Sequence, residues 1–131
     1  MGLIYLDTCL VIYAFEQHPV HGERVLRALE SESQDRFAIS PLVHLECLVA
    51  PMRDGNLVLQ RYYEEGLRQF VLLDMPVEVY QAAAQLRARF ALRTPDALHL
   101  AVAQHHRCDA LWTGDSRLAR AAHGLSVDLL G

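Results

Sequence analysis

Residues Thr94–Ala103 read T-P-D-A-L-H-L-A-V-A, and the fold of the whole chain can be worked out from this stretch. A hydroxyl residue followed by proline is typical of a helix start, so we predict Thr94 as the N-cap and Pro95 as the first helical residue. The residues that follow are apolar on nearly every side, which indicates a buried helix. Asp96 in its first turn either complements the helix dipole or supplies a charge that a site needs. Taken alone, Asp96 favours the structural explanation.

The composition is that of a folded protein long enough to bury a core. The chain has 131 residues, of which 52% are hydrophobic and 21% are charged, so we expect a globular chain. It has no apolar run of transmembrane length and no basic leader. Three widely spaced cysteines without a C-x-x-C pair argue for a reducing compartment. We therefore predict a single domain over residues 1–131, located in the cytoplasm and without a membrane partner.

The charge balance neither indicates nor excludes a nucleic-acid partner. The formal net charge is −4, and all twelve basic residues are arginine. Arginine suits bidentate contacts to phosphate, but biased codon usage explains the lack of lysine equally well. An acidic protein can still bind a polyanion if its acids hold a metal ion and its arginines surround that site.

Short apolar runs alternate with helical patterns along the chain. The runs predicted as strands are Leu3–Leu6, Arg36–Ile39, Val71–Leu73, Ala110–Thr113 and Leu125–Leu130. The predicted helices, besides the opening stretch, are Cys9–Glu16 capped by Thr8, Val20–Glu32, Leu42–Ala50 with Pro51 beyond it, Gly55–Phe70, a helix started by Asp74 and Pro76, and Ser116–Ala122. This alternation indicates an α/β fold, a three-layer α/β/α sandwich with a central parallel sheet of four to five strands.

Four acidic residues fall where such a sheet would bring them together, at the carboxyl ends of its strands. Asp7 follows the first strand, Asp115 follows the fourth, and Asp96 begins the buried helix. Glu46 lies in the apolar sequence S-P-L-V-H-L-E-C, where a charge is rarely buried without a partner. The remaining acids are expected away from this edge: Asp109 at the opposite edge, Asp128 inside or beside the last strand, Asp74 as a helix cap, and Glu23, Glu30, Glu32, Glu64 and Glu65 on solvated helix faces.

Four carboxylates packed together need a cation, because they would otherwise raise one another's pKa values. All-oxygen coordination suits Mg²⁺ or Mn²⁺, and Mg²⁺ commonly completes its shell with water and substrate phosphate. Such a metal polarises a phosphoryl oxygen and activates a water, which predicts phosphodiester hydrolysis. From the spacing alone, this hypothesis stands only narrowly above a structural role for the acids.

The same residues resemble the motifs of the PIN domain family of metal-dependent ribonucleases, and more narrowly the VapC-type toxins of toxin–antitoxin pairs. L-I-Y-L-D-T is similar to the opening strand with its first acid, Asp7, and P-L-V-H-L-E to the helix carrying Glu46. T-P-D-A-L-H-L-A, with Asp96, is the most specific stretch. L-W-T-G-D is similar to the segment with the fourth acid, Asp115. The four motifs occur in the family's order across the whole chain.

The resemblance implies an activity, a cofactor and partners. It implies an endoribonuclease toxin that uses Mg²⁺ or Mn²⁺ and leaves a 5′-phosphate and a 3′-hydroxyl on RNA. The catalytic residues and metal ligands that it implies are Asp7, Glu46, Asp96 and Asp115. It also implies a homodimer and a cognate antitoxin protein that covers the site, and hydroxyl contributions from Thr113 and Ser116.

Two positions depart from the family's pattern. Many relatives have Ser or Asn where this chain has Cys9, and a further carboxylate where it has Arg117. The loss of that carboxylate weakens any case for a second metal. It leaves Arg117 either to contact RNA phosphate or to face solvent.

The accessory candidates each have a plain structural alternative. Arg93 is the best-placed basic residue for substrate phosphate, or else an exposed loop residue. His99 shares a side of the helix with Asp96 and could act as a general base, although we expect a packed residue with one hydrogen bond. Cys9 near a helix N-terminus could be a reactive thiol, although we expect a small apolar residue. Thr8 is an accessory candidate beside the first acid.

Two other functions stay open at this point. The first is a catalytically idle PIN-like module that binds RNA or protein without cleaving it, and Arg117 is its main support. The second is a small phospho-signalling domain, which also clusters acids around Mg²⁺. The absence of lysine from the sequence counts against that second function.

Overall fold

Five parallel strands form one sheet in the computed structural model, which describes residues 2–31, 36–122 and 126–128. The strands are β1 (Leu3–Leu6), β2 (Arg36–Ile39), β3 (Val71–Leu72), β4 (Ala110–Thr113) and β5 (Ser126–Asp128), and their order is β3-β2-β1-β4-β5. Every neighbouring pair is parallel. The predicted parallel sheet is therefore confirmed. The rest of the predicted strand Leu125–Leu130 lies outside the described residues, as does Glu32.

Seven helices and one short 3-10 helix connect the described strands. They are α1 (Thr8–Phe15), α2 (Gly22–Ser31), α3 (Pro41–Arg53), α4 (Leu57–Gly66), the 3-10 helix Leu67–Gln69, α5 (Val77–Arg89), α6 (Thr94–His105) and α7 (Ser116–Ala121). The predicted α/β/α class is confirmed. None of the described helices combines the length and hydropathy that crossing a membrane requires.

The strand order places a crevice between β1 and β4. From β1 the chain first builds outward through β2 and β3, and it then returns to the other side of β1 to add β4 and β5. Ligands bind at the carboxyl ends of the strands where the order reverses in this way. Asp7 lies at that point, because its backbone N–H donates to the Trp112 carbonyl at 3.0 Å and extends the β1–β4 ladder past Leu6.

The apolar stretch from the opening of the sequence forms α6, which is buried along most of its length. Every residue from Asp96 to Ala103 is buried. The helix packs mainly against α5, whose Val79 and Ala83 are buried, and it also contacts β4 and α7. A helix apolar on all sides is therefore surrounded by the rest of the domain, as its composition predicts.

The predicted caps Thr8 and Thr94 are wrong, because each is the first residue of its helix. Asp7 and Arg93 are the N-cap residues of α1 and α6, and neither makes a side-chain capping hydrogen bond. The threonine hydroxyls have tertiary partners instead: Thr8 donates to Glu46 Oε1 at 2.7 Å, and Thr94 accepts from Arg87 Nη1 at 2.9 Å.

The boundaries between the middle helices also differ from the prediction. Pro51 lies inside α3, where it is buried and has no backbone N–H to donate. The predicted helix Gly55–Phe70 begins only at α4, because Gly55 adopts a φ of 67° and the Asn56 side chain caps α4 by accepting from the Leu59 N–H at 3.1 Å. Helix α4 ends at Gly66, and the 3-10 helix begins at the next residue.

Asp74 is not the cap of α5, because Pro76 is the N-cap residue. The Asp74 carboxylate is 82% exposed and lies 3.1 Å from His106 Nε2.

Truncating a buried side chain of α6 should weaken the whole fold. We expect Leu100→Ala to lower the free energy of unfolding by about 2–5 kcal/mol, because Leu100 is fully buried and its loss leaves a cavity. Leu45→Ala is the matched control, since Leu45 is 60% exposed and its removal should cost less than about 0.5 kcal/mol. Urea denaturation measures both. Equal losses in the two variants would show that α6 is not the central packing element.

Candidate functional site

A pocket of about 610 Å³ opens at the carboxyl ends of β1 and β4. It is lined by the four predicted acids Asp7, Glu46, Asp96 and Asp115, and by the accessory candidates Thr8, Arg93, His99 and Ser116. Of the acids predicted elsewhere, none whose side chain the structure describes lines it, and Asp109 lies at the opposite edge, where its carboxylate accepts from the Leu3 N–H at 2.7 Å. The structure therefore brings the four acids to one place.

Asp7 is buried and held by hydroxyl and thiol donors. Its Oδ2 accepts from Thr113 Oγ1 at 2.7 Å and from Cys9 Sγ at 3.6 Å. Thr113 Oγ1 also accepts from the Asp115 backbone N–H at 3.0 Å. Thr113 thus links the first and fourth acids, which is a positioning contact of the kind expected for its hydroxyl. Ser116, the other predicted hydroxyl, lines the pocket and is exposed.

Asp115 serves as the N-cap of α7. Its Oδ1 accepts from the backbone N–H groups of Arg117 at 2.8 Å and Leu118 at 3.4 Å. Its Oδ2 lies 3.7 Å from Arg93 Nη2. Oδ1 therefore caps α7, and Oδ2 faces the Arg93 guanidinium.

Arg93 bridges two of the acids. Its Nε donates to Asp96 Oδ2 at 3.0 Å, and its guanidinium is 73% exposed. Burial raises the pKa of Asp96, and the nearby Asp7 and Asp115 raise it further. The hydrogen bond and charge of Arg93 lower it, but the pKa stays above its ordinary value. The hydrogen bond to Asp96 raises the pKa of Arg93. Arg93 is thus a partial counterion to a crowded group of carboxylates.

Glu46 is held from behind by two donors on the same oxygen. Its Oε1 accepts from Thr8 Oγ1 at 2.7 Å and from His99 Nε2 at 2.7 Å. Burial would raise the pKa of Glu46, but the hydrogen bonds from His99 and Thr8 outweigh it and the pKa is lowered. Glu46 is therefore ionised at neutral pH.

His99 is packed, as expected, but the prediction of one hydrogen bond is wrong. It is 1% exposed, and its Nδ1 lies 2.7 Å from Tyr5 Oη while its Nε2 contacts Glu46 and, at 3.2 Å, Thr8 Oγ1. Tyr5 in turn lies 2.8 Å from Ser40 Oγ. Sequence reasoning missed Tyr5 and Ser40 at the site, since one looks like a strand residue and the other like a helix cap.

Cys9 is not a reactive thiol. Burial and the neighbouring Asp7 raise its pKa to about 12, so the thiol is protonated at neutral pH and acts as a weak donor to Asp7.

A second pocket, of about 590 Å³, adjoins the acidic one. Its lining residues are Phe90, Ala91, Leu92, Arg117, Arg120 and Ala121. Leu92 and Arg117 of this second pocket are chain neighbours of Arg93 and Ser116, which line the first, and the Arg117 N–H donates to Asp115 Oδ1 at 2.8 Å. The position that departs from the family's pattern, Arg117, therefore lies beside the acids and is exposed there.

Within residues 2–31, 36–122 and 126–128, no three acidic, histidine or cysteine side chains stand close enough together to hold a metal ion. The donor set itself fits a hard divalent cation, because carboxylate oxygens are the ligands that Mg²⁺ and Mn²⁺ prefer. Asp96 and Asp115 already converge on a cation, the Arg93 guanidinium. Arg93 therefore holds one oxygen of Asp96 and lies near one oxygen of Asp115, where a metal ion would compete with it.

Comparisons with known proteins agree on the fold. The model of the PIN domain family matches residues 4–124. A toxin–antitoxin complex from Klebsiella pneumoniae is 24% identical, with a TM-score of 0.79 over 96% of this chain and 97% of that chain. VapBC2 from Rickettsia felis, bound to a DNA fragment from its promoter, is 18% identical, with a TM-score of 0.79 over 95% and 97% of the two chains.

FitAcB from Neisseria gonorrhoeae is also similar, at 20% identity and a TM-score of 0.68 over 96% of this chain and 97% of that chain. At these identities the likeness shows the fold. The comparison with curated proteins gave no match.

Removing the Asp96 charge should stabilise the metal-free protein. Because the pKa of Asp96 is raised in the folded state, its ionised form destabilises the fold at neutral pH, and this cost disappears as the pH falls below the unfolded-state pKa. We expect Asp96→Asn to raise Tm by about 2 °C at pH 7 in EDTA, with the gain fading near pH 4. Differential scanning calorimetry measures this.

Asp54→Asn is the matched control for that comparison. Asp54 is exposed and pairs with Arg53 away from the pocket. The Tm of the Asp54→Asn variant should therefore match that of the wild type. A Tm for Asp96→Asn below the wild-type value at pH 7 would contradict the crowding of charge at the site.

Proposed function

The chain belongs to the PIN domain family, and we propose that it is a metal-dependent endoribonuclease acting as the toxin of a toxin–antitoxin pair. The observation that carries this proposal is the convergence of Asp7, Asp96, Asp115 and Glu46 on one open pocket at the β1–β4 crevice. Buried carboxylates gathered in this way are costly unless a cation is bound. Within residues 1–131 we propose one catalytic domain.

The acids would hold Mg²⁺ or Mn²⁺ when the protein is active. Asp7, Asp96 and Asp115 would be the ligands nearest the crevice, and Glu46 would complete the negative site beside them. When bound, the ion would polarise a phosphoryl oxygen, activate the attacking water and offset charge on the leaving oxygen.

The chain's own residues prepare the site for this chemistry. Thr113 fixes Asp7 through its hydroxyl, and the first turn of α7 fixes one oxygen of Asp115. Thr8 and His99 keep Glu46 ionised. Arg93, once released from Asp96 and Asp115, would be an exposed guanidinium at the pocket mouth that can pair with a substrate phosphate.

RNA is the proposed substrate because three arginines lie on one side of the acids. Arg93 lies in the acidic pocket, and Arg117 and Arg120 line the adjoining one. These three cations offer phosphate contacts on one side of the site even though the formal net charge of the whole chain is −4. On this basis Arg117 replaces a carboxylate with a substrate contact, rather than marking a loss of activity.

The partners follow from the relatives. The structures from Klebsiella pneumoniae and Rickettsia felis are a toxin–antitoxin complex and VapBC2, so we propose a cognate antitoxin protein for this chain. A homodimer is proposed from the same family resemblance. The cysteines Cys9, Cys47 and Cys108 are free thiols, and a cytoplasmic location is proposed on that ground.

We expect the purified protein to cleave structured RNA when Mg²⁺ or Mn²⁺ is added. Asp7→Asn and Asp96→Asn should lower the rate by about 100-fold or more, because each removes a charge from the cation site. Gel-resolved cleavage of a labelled RNA measures this. The control is Asp74→Asn, whose exposed carboxylate lies outside the pocket and should be dispensable.

Equal cleavage by Asp7→Asn, or cleavage in excess EDTA, would refute the proposal. Tight RNA binding by the wild type without turnover would favour the catalytically idle module instead.

A further inference from the structure

Behind the acidic pocket, buried polar side chains form one continuous series of hydrogen bonds. Ser40 Oγ and Tyr5 Oη are 2.8 Å apart, Tyr5 Oη and His99 Nδ1 are 2.7 Å apart, and His99 Nε2 and Glu46 Oε1 are 2.7 Å apart. Ser40, Tyr5 and His99 are fully or almost fully buried. The series therefore runs from the core of the protein to an acid of the pocket.

The direction of each hydrogen bond follows from the number of protons available. Thr8 has one hydroxyl proton and donates it to Glu46 Oε1, so towards His99 it can only accept. Glu46, as a carboxylate proposed to hold a cation, also accepts and does not donate. His99 Nε2 must therefore carry a proton, since Thr8 Oγ1, Glu46 Oε1 and, at 3.7 Å, Asp7 Oδ1 are all acceptors.

The rest of the series follows for the tautomer that carries its proton on Nε2. With the proton on Nε2, Nδ1 is an acceptor and Tyr5 donates to it. Tyr5 has then used its only proton, so Ser40 donates to the Tyr5 oxygen. The hydrogen bonds thus run in one direction, from Ser40 to Glu46.

The residues of the series lie on three elements around the site. Tyr5 lies in β1 and His99 lies in the buried helix α6. Ser40 is the N-cap residue of α3, and Glu46 lies one to two turns further along that same helix. The hydrogen bonds therefore connect the sheet, α6 and α3 at the position of one carboxylate.

We propose that His99 is a positioning residue for Glu46, with Tyr5 fixing the His99 ring from behind. His99 and Thr8 both hydrogen-bond to Oε1 of Glu46, which leaves Oε2 of Glu46 to face the pocket. The role rests on the proposed function, because it concerns how Glu46 meets the cation and the substrate. Burial requires a partner on each ring nitrogen of His99, and the Nε2 partner is an acid of the pocket.

Metal affinity and cleavage kinetics test this role together. We expect His99→Leu and Tyr5→Phe to weaken Mn²⁺ binding or lower kcat by about 10–100-fold, with KM changing less, as for other groups that orient metal ligands. His99→Gln retains an N–H donor near the Nε2 position and should recover part of the loss. Mn²⁺ binding is measured by electron paramagnetic resonance on the purified protein, and kcat and KM on a defined RNA.

Tyr63→Phe is the matched control variant. Tyr63 is as buried as Tyr5, but its hydroxyl donates to Glu16 rather than to a residue of the pocket. It should lose no more than about twofold in Mn²⁺ affinity or kcat even if its stability falls. Losses in Tyr63→Phe as large as those in Tyr5→Phe would overturn the positioning role.

A double-mutant cycle separates positioning from general stability. If Tyr5 and His99 act through Glu46, then Tyr5→Phe should change Mn²⁺ affinity by less than about twofold in a Glu46→Gln background. A loss of the same size in both backgrounds would overturn the proposal. Nitrogen-15 NMR of the metal-free protein adds a readout without catalysis: the His99 ring should show its proton on Nε2, and a proton on Nδ1 alone would overturn the assignment.

The outcomes distinguish this role from the proposed function. Wild-type protein that neither binds Mn²⁺ nor cleaves RNA would overturn the proposed function and, with it, the positioning role. Active wild-type protein with unchanged His99→Leu and Tyr5→Phe variants would overturn the positioning role alone.

Discussion

The repulsion among Asp7, Asp96 and Asp115 at the end of β1 and β4 is the constraint that the surrounding structure has to meet. Each acid has its own stabilising partner: the Thr113 hydroxyl for Asp7, the N-terminal N–H groups of α7 for Asp115, and Arg93 for Asp96. The raised pKa of Asp96 shows that these partners do not fully compensate for burial and crowding. The fold holds charge together at a cost, as functional sites commonly do.

The partners fall into a buried set and an exposed set. Thr113 and His99 are buried and fix their carboxylates from the side of the core. Arg93 is mostly exposed and approaches the acids from the side of solvent. Under the proposed function, a divalent cation would take the place of Arg93 without disturbing the buried contacts, and the guanidinium would then be available to a phosphate. The buried helix α6 carries both Asp96 and His99, so one element supplies an acid of the pocket and the residue behind Glu46.

The sheet and the place of the acids could be predicted because they depend on local patterns. Asp7 directly follows an apolar run, Asp115 follows another, and parallel strands bring both ends to one edge. The contact between Tyr5 and His99 could not be predicted from the sequence, because it joins residues 94 positions apart and depends on how α6 packs on the sheet. The predicted caps Thr8 and Thr94 failed for a related reason: a hydroxyl next to a helix start can bind a distant side chain instead.

The most direct measurement is the anomalous scattering of Mn²⁺ in crystals of the protein grown with the ion. A cation site formed by the acids predicts a peak in contact with Asp7, Asp96 and Asp115, with the Arg93 guanidinium moved away from Asp96. No peak at saturating Mn²⁺, with Arg93 still bridging Asp96 and Asp115, would contradict it.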